Sequence, residues 1–167
     1  MNKLWSPWRS SYIESFNKEK DPNTCIFCDA VNDNINSDSC FKVFESKLSY
    51  IILNLYPYNS GHLMVVPHRH LCHMNELNTD EIQEIMQSVN LSMNALDIIM
   101  KPHGYNFGAN IGRAAGAGID DHIHFHIVPR WSGDTNFMPS LGDVKVISQD
   151  LLQTKKNLLK AFVELQK

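Results

Sequence analysis

Late in the chain, His122-Ile-His-Phe-His-Ile-Val128 alternates a polar ring with an apolar side chain at every step. That alternation marks a β-strand with one face in a core. In such a strand His122, His124 and His126 share one face, while Ile123, Phe125 and Ile127 enter the core on the other. Neighbouring imidazoles stand roughly 7 Å apart along the strand, so several can address one phosphate-sized ligand. Neutral imidazole is a nucleophile near pH 7, and its cation donates to phosphate oxygens. A cluster of histidines that only binds metal, or a strand merely polar on one side, are the competing readings.

The remaining elements are short. Apolar runs predict strands over 41–45, 50–55, 62–66 and 105–110, with the first two forming a hairpin and the third stopped by Pro67. Helical spacing of Ile82, Ile85, Met86, Val89, Met93 and Leu96 predicts a helix to about Met100, with Thr79 as its N-cap. A C-terminal helix should open at Ser148 or Gln149. Residues 1–20 read as an N-terminal arm, and the Asn/Asp/Ser-rich 32–39 as a loop. Strands without regular helical crossovers favour an antiparallel sheet with both helices on one side, an α+β class. A chain of 167 residues is sized for a single domain.

Net charge is −3, which gives no basic footprint for a nucleic acid polymer. No apolar run reaches the roughly 20 residues needed to cross a bilayer, and the start of the chain lacks a signal-peptide pattern. A cytoplasmic protein without a membrane partner is the expectation, and four cysteines suit a reducing compartment.

Two further motifs surround the histidine row. Asn110-Ile-Gly-Arg-Ala-Ala-Gly-Ala-Gly118 is a glycine-rich loop whose amides can approach phosphate oxygens, although a flexible connection reads equally well from the loop alone. Cys25-Ile-Phe-Cys28 spaces two thiols for one Zn²⁺, to be completed by histidines from elsewhere. A redox pair is the alternative; the polar loop that follows offers no helix to lower a thiol pKa.

Taken together, Asn-x-Gly, the Gly/Ala loop, the three alternating histidines and Pro129-Arg130 resemble the histidine-triad (HIT) family. The segments 53–62, 65–67 and 129–134 are similar to its branch of dinucleoside polyphosphate phosphorylases and hydrolases. The opening Leu4-Trp-Ser-Pro-Trp-Arg9 and Asp134-Thr-Asn-Phe-Met138 resemble bacterial ATP adenylyltransferase-like members. The resemblance implies a HIT-like fold, with an antiparallel sheet of about five strands, a central helix and a C-terminal helix. It also implies a nucleotide substrate such as diadenosine tetraphosphate, and a homodimer.

Residue by residue, the resemblance makes His124 the nucleophile that forms a nucleotidyl-histidine, puts His126 near the scissile phosphate, and gives His62 a supporting place. Asn54 would contact the ribose, and Ile52 and Leu53 the base. Asn110, Gly112 and Gly118 would hold phosphate oxygens. Zinc-bearing relatives imply a set of Cys25, Cys28, His70 and His122. Gly118 stands where hydrolases of the fragile-histidine-triad type carry a glutamine, whereas Arg113 and Arg130 could hold an incoming phosphate; phosphorolysis is therefore favoured over hydrolysis. Nucleoside phosphoramidate hydrolysis and a nucleotide- or zinc-binding interaction module are the alternatives. Turnover should fall on acidification near the ordinary histidine pKa of about 6.5.

Overall fold

A computed structural model describes residues 24–134 and 150–167. The expected arm over 1–20, the stretch 135–138 and the Ser148/Gln149 helix start lie outside those residues. Five strands form one antiparallel sheet: β1 (Lys42–Glu45), β2 (Ser49–Leu53), β3 (Leu63–Pro67), β4 (Gly104–Gly108) and β5 (Phe125–Arg130), in the order β1-β2-β3-β5-β4. Among the described residues three α-helices flank it: α1 (Ile26–Asn32), α2 (Thr79–Met100) and α3 (Leu151–Leu165).

One face carries the main core. Ile51, Leu53, Leu63, Val65, Phe125 and Ile127 meet Ile85, Val89 and Leu96 of α2 and Leu158 and Phe162 of α3. Each fully buried Leu, Ile or Phe contributes about 1.5–3 kcal/mol, so this layer dominates stability. Both expected helices lie here. The opposite face carries a smaller cluster in which Phe27 and Ala30 of α1 pack with Tyr50, Met64 and Val66. Helix α1 is a correction, because the sequence reads as a loop soon after Cys28. Two helical turns are too short to display a periodic stripe, and their Asp and Asn residues read as loop formers.

Two boundaries also differ. The N-cap of α2 is Asn78, with Thr79 its first helical residue: the Asn78 side chain accepts from the Glu81 amide at 2.9 Å, and Glu81 accepts from the Asn78 amide at 2.9 Å. This reciprocal capping box uses the three-residue spacing from Asn78 to Glu81. Strand β5 begins at Phe125, not His122. Its register with β3, in which Val65 faces Phe125, brings Ile123 opposite Pro67, which has no N–H to give. The ladder stops there, and the Ile123 amide donates instead to Leu71 O at 2.7 Å.

The 54–62 connection between β2 and β3 turns at Gly61, whose φ is +74°. Its positive φ favours glycine, and a Cβ there would come within 2.6 Å of Met100 Sδ, so the Met100 side chain in the last turn of α2 would have to move. This turn delivers the chain into His62.

Candidate active site and metal centre

The histidine row lies on the face opposite the main core. His122, His124 and His126 are all buried, at 0, 6 and 8% exposure, and Ile123, Phe125 and Ile127 enter the main core as the alternation predicts. The rings of His124 and His126 are 4.8 Å apart, and Phe27 of α1 packs 4.8 Å from His124.

The hydrogen bonds fix where each proton sits. His124 Nδ1 lies 2.9 Å from the His122 carbonyl. A carbonyl only accepts, so Nδ1 carries the proton and Nε2 keeps a lone pair. His62 shows the opposite pattern. Its Nδ1 accepts from the Tyr58 amide at 2.9 Å, with Asn54 Nδ2 at 3.3 Å, so its proton is on Nε2. That Nε2–H donates to His126 Nδ1 at 2.9 Å. His126 must then carry its own proton on Nε2, a buried atom with no hydrogen-bond partner among the described residues. Such a group costs about 1–3 kcal/mol while unsatisfied. An anionic oxygen would satisfy it.

Burial lowers the pKa of His124, and burial followed by the adjacent His124 ring lowers His126 to about 4. Both rings are therefore neutral at pH 7. The site thus presents a lone pair on His124 beside an N–H donor on His126, the combination needed for attack at a phosphorus whose oxygens gain charge.

Around these rings the candidates divide. Ile52 is half-buried on the histidine face, since it pairs with Met64, which pairs with His126. Leu53 is a correction: it is 1% exposed in the main core on the other face, and its side chain cannot line a base pocket here. Asn54 is engaged within its own loop, accepting from the Tyr56 amide at 2.9 Å. Asn110 Nδ2 donates to Tyr58 Oη at 3.3 Å.

In the glycine-rich loop the amides of Ala115, Gly116 and Ala117 are spent on Gly112 and Arg113 carbonyls. Gly118 is exposed, with open space where a Cβ would project. Both arginines are already paired. Arg113 is exposed and holds Asp120 at 2.9 Å; Arg130 grips Asp134 through Nε at 2.7 Å and Nη2 at 2.9 Å. Neither guanidinium stands ready for phosphate in this state.

Sequence reasoning missed Tyr58. Its ring lies 4.6 Å from His62 and 5.5 Å from His126, covering the pair from solvent while remaining 46% exposed itself. The signal was an aromatic inside the Pro-Tyr-Asn-Ser-Gly turn, a place where tyrosine has no core to fill.

At the other end of the row lies the sulfur cluster. One ligand atom from each of Cys25, Cys28, His70 and His122 lies within 4.8 Å of all the others. His122 Nε2 donates to Pro67 O at 3.0 Å, which leaves the Nδ1 lone pair towards Cys25 Sγ at 3.3 Å and Cys28 Sγ at 3.7 Å. His70 Nδ1 is 3.4 Å from Cys28 Sγ. A tetrahedral zinc with sulfur arms of about 2.3 Å and nitrogen arms of about 2.0 Å holds S and N about 3.5 Å apart, so the donor set fits. The premise that set aside a redox pair fails, because α1 does start at Ile26. Burial, then the hydrogen bond that its S–H gives to Cys25, raise the Cys28 thiol to about 11, which is the wrong direction for a redox nucleophile.

Known proteins match the chain in sequence and in fold. The HIT domain family model matches residues 36–133. A protein of Mycobacterium tuberculosis named AP-4-A phosphorylase is 37% identical over 95% of this chain and 83% of its own. The adenosine 5'-monophosphoramidase of Schizosaccharomyces pombe is 36% identical over 64% of this chain and 74% of its own. Among solved structures, a zinc-bound histidine-triad protein from Mycobacterium smegmatis superposes with a TM-score of 0.68 at 23% identity, covering 86% of this chain and 96% of that one. No helix among the described residues is long and apolar enough to cross a membrane. With the family model spanning the sheet from β1 to β5, the chain belongs to the HIT domain family.

Proposed function

We propose that this HIT protein cleaves dinucleoside polyphosphates such as diadenosine tetraphosphate by nucleotidyl transfer through His124, and passes the nucleotidyl group to orthophosphate. The observation that carries the reading is the paired proton assignment, a lone pair on His124 Nε2 next to an unpartnered N–H on His126. Nε2 attacks the α-phosphorus, an N–P bond forms, and the P–O bond to the leaving ATP breaks. The imidazolium character that develops is stabilised because Nδ1–H already donates to the His122 carbonyl. His126 Nε2–H meets the charged oxygen. Orthophosphate then attacks the adenylyl phosphorus, the N–P bond breaks, and ADP leaves with His124 restored.

Preference for phosphate over water rests on the named mycobacterial relative. The exposed Gly118, with no side chain to orient a water, agrees with it. Arg113 and Arg130 no longer support it, being paired with aspartates. With labelled orthophosphate and diadenosine tetraphosphate, label should enter ADP while ATP is released. AMP formed at one rate with or without phosphate would make the chain a hydrolase. Faster turnover of adenosine phosphoramidate than of the dinucleotide would favour the reading suggested by the monophosphoramidase relative.

Zinc belongs to this reading as a structural ion on Cys25, Cys28, His70 and His122, where it fixes the segment entering β5 and supplies no chemistry. So do a single HIT domain and a homodimer. Strand β4 is an edge of the sheet, and Ile98 of α2 and Phe107 of β4 are exposed apolar side chains that a second copy would cover. Sedimentation showing only monomer at micromolar concentration would remove the dimer.

A further inference from the structure

The proton placed on His126 depends on a loop, and that loop is bolted to the end of the strand that carries His126. Asn59, 7% exposed in the 54–62 connection, donates from Nδ2 both to Pro129 O at 3.0 Å and to Asp134 Oδ2 at 2.8 Å. Pro129 belongs to β5. Asp134 is held in turn by both Arg130 contacts and by the Trp131 amide at 3.2 Å, and burial does not prevent these donors from keeping its carboxyl well below the usual carboxylate range. Arg130 is braced by Asn106 Oδ1 at 2.6 Å on β4. The carboxylate is thus an acceptor fixed on the β4–β5 edge before Asn59 reaches it.

Asn59 is the neighbour of Tyr58, whose amide, together with Asn54 Nδ2 of the same loop, sets the tautomer of His62. Its own carbonyl accepts from the His62 amide at 3.2 Å. If the bolt is removed, the 58–62 loop loses its hold on Pro129 and Asp134 while the His62–His126 bond remains, and Tyr58 N–H can leave His62 Nδ1. His62 then gains access to the Nδ1–H tautomer, in which its Nε2 is an acceptor and His126 must turn its proton inward to Nδ1. The donor facing the substrate is lost although no group of the histidine row has been touched.

We infer that Asn59 and Asp134 are positioning residues that hold His126 in its donor tautomer by locking the 54–62 loop to β5. The inference deepens the proposed function and rests on its use of His126, but its primary readout needs no substrate. Side-chain ¹⁵N spectra of the full-length protein distinguish Nδ1–H from Nε2–H rings. The wild type should show His62 and His126 as Nε2–H and His124 as Nδ1–H. In Asn59→Ala the His62 and His126 signals should move to mixed tautomers while His124, anchored by a backbone carbonyl, stays unchanged.

Turnover of diadenosine tetraphosphate should fall by about tenfold to a hundredfold, with KM changed by less than about twofold. Asn59→Asp, of equal size but unable to donate either bond, should behave alike and guards against a packing defect. Wild-type His126 found as Nδ1–H would overturn the inference, as would unchanged tautomers in both variants even if turnover drops. A shift of His124 as large as that of His126 would also overturn it, by showing general loosening. Failure of labelled phosphate to enter ADP would sink phosphorolysis and leave these spectra standing.

Discussion

The two ends of the histidine row use the same side chain in opposite ways. At the sulfur end, His122 gives Nε2–H to Pro67 O and turns an Nδ1 lone pair to two thiols; at the other end, His124 gives Nδ1–H to a carbonyl and keeps its lone pair on Nε2. Only Ile123 separates them. The difference shows that the tautomer of each ring follows the backbone carbonyl it meets, since the ring type and the face are shared. Under the proposed function, one part of the row would be closed by four ligands and the other left open for a substrate.

The sharpest way to separate the ends is to delete one member of each. His124→Ala should lower turnover by about four orders of magnitude or more while nucleotide affinity and thermal stability stay near wild type. Retention of a tenth of the activity would remove His124 as the attacking group. Cys28→Ser should do the reverse: the purified parent should hold about one zinc per chain, and the variant should lose metal and melting temperature before it loses nucleotide affinity. Metal analysis finding no zinc in protein never exposed to chelator would end the claim for that end of the row.

Acid provides the gentlest test. His126 titrates at about 4 and His124 is shifted downward too, both first by burial, against about 6.5 in an unfolded chain. These groups bind fewer protons folded than unfolded below about 6.5, so their contribution to stability is fully present above that value and is lost as pH falls towards about 4. Turnover should hold steady from neutrality to below pH 6.5, which corrects the acid limb expected from an ordinary histidine. A limb at about 6.5 in kcat/KM would show rings wetter than the structure describes.

The same contrast explains what could be read in the sequence. Alternation placed His122, His124 and His126 on one face because their partners Ile123, Phe125 and Ile127 are all apolar. It offers no such guide to Ile52 and Leu53, which only the family resemblance assigned to the base, since Ser49–Leu53 is apolar on both faces after its first residue, with Tyr50 and Ile52 against α1 and Ile51 and Leu53 in the main core. No periodic signal distinguishes sides in such a strand.

The spacing of Cys25 and Cys28 was legible, but the α1 helix between and beyond them was not, being only seven residues long. Arg130, which the sequence offers as a group able to hold an incoming phosphate, is instead paired. Its partner Asp134 lies four residues on, at helical spacing but in a turn, and only the folded chain brings the two together. Asn59 and Asp134 are 75 residues apart, and no local pattern links them.

The central claim is that the lone pair on His124 Nε2 attacks phosphorus. Rapid quenching of a single turnover of diadenosine tetraphosphate without orthophosphate, followed by intact-mass and peptide analysis, tests it directly. The account predicts an adenylyl adduct on the peptide bearing His124, formed together with ATP, absent from His124→Ala, and discharged as ADP when phosphate is added. Release of ATP with no adduct at any time in the turnover, or an adduct on His126 or His62, would contradict it.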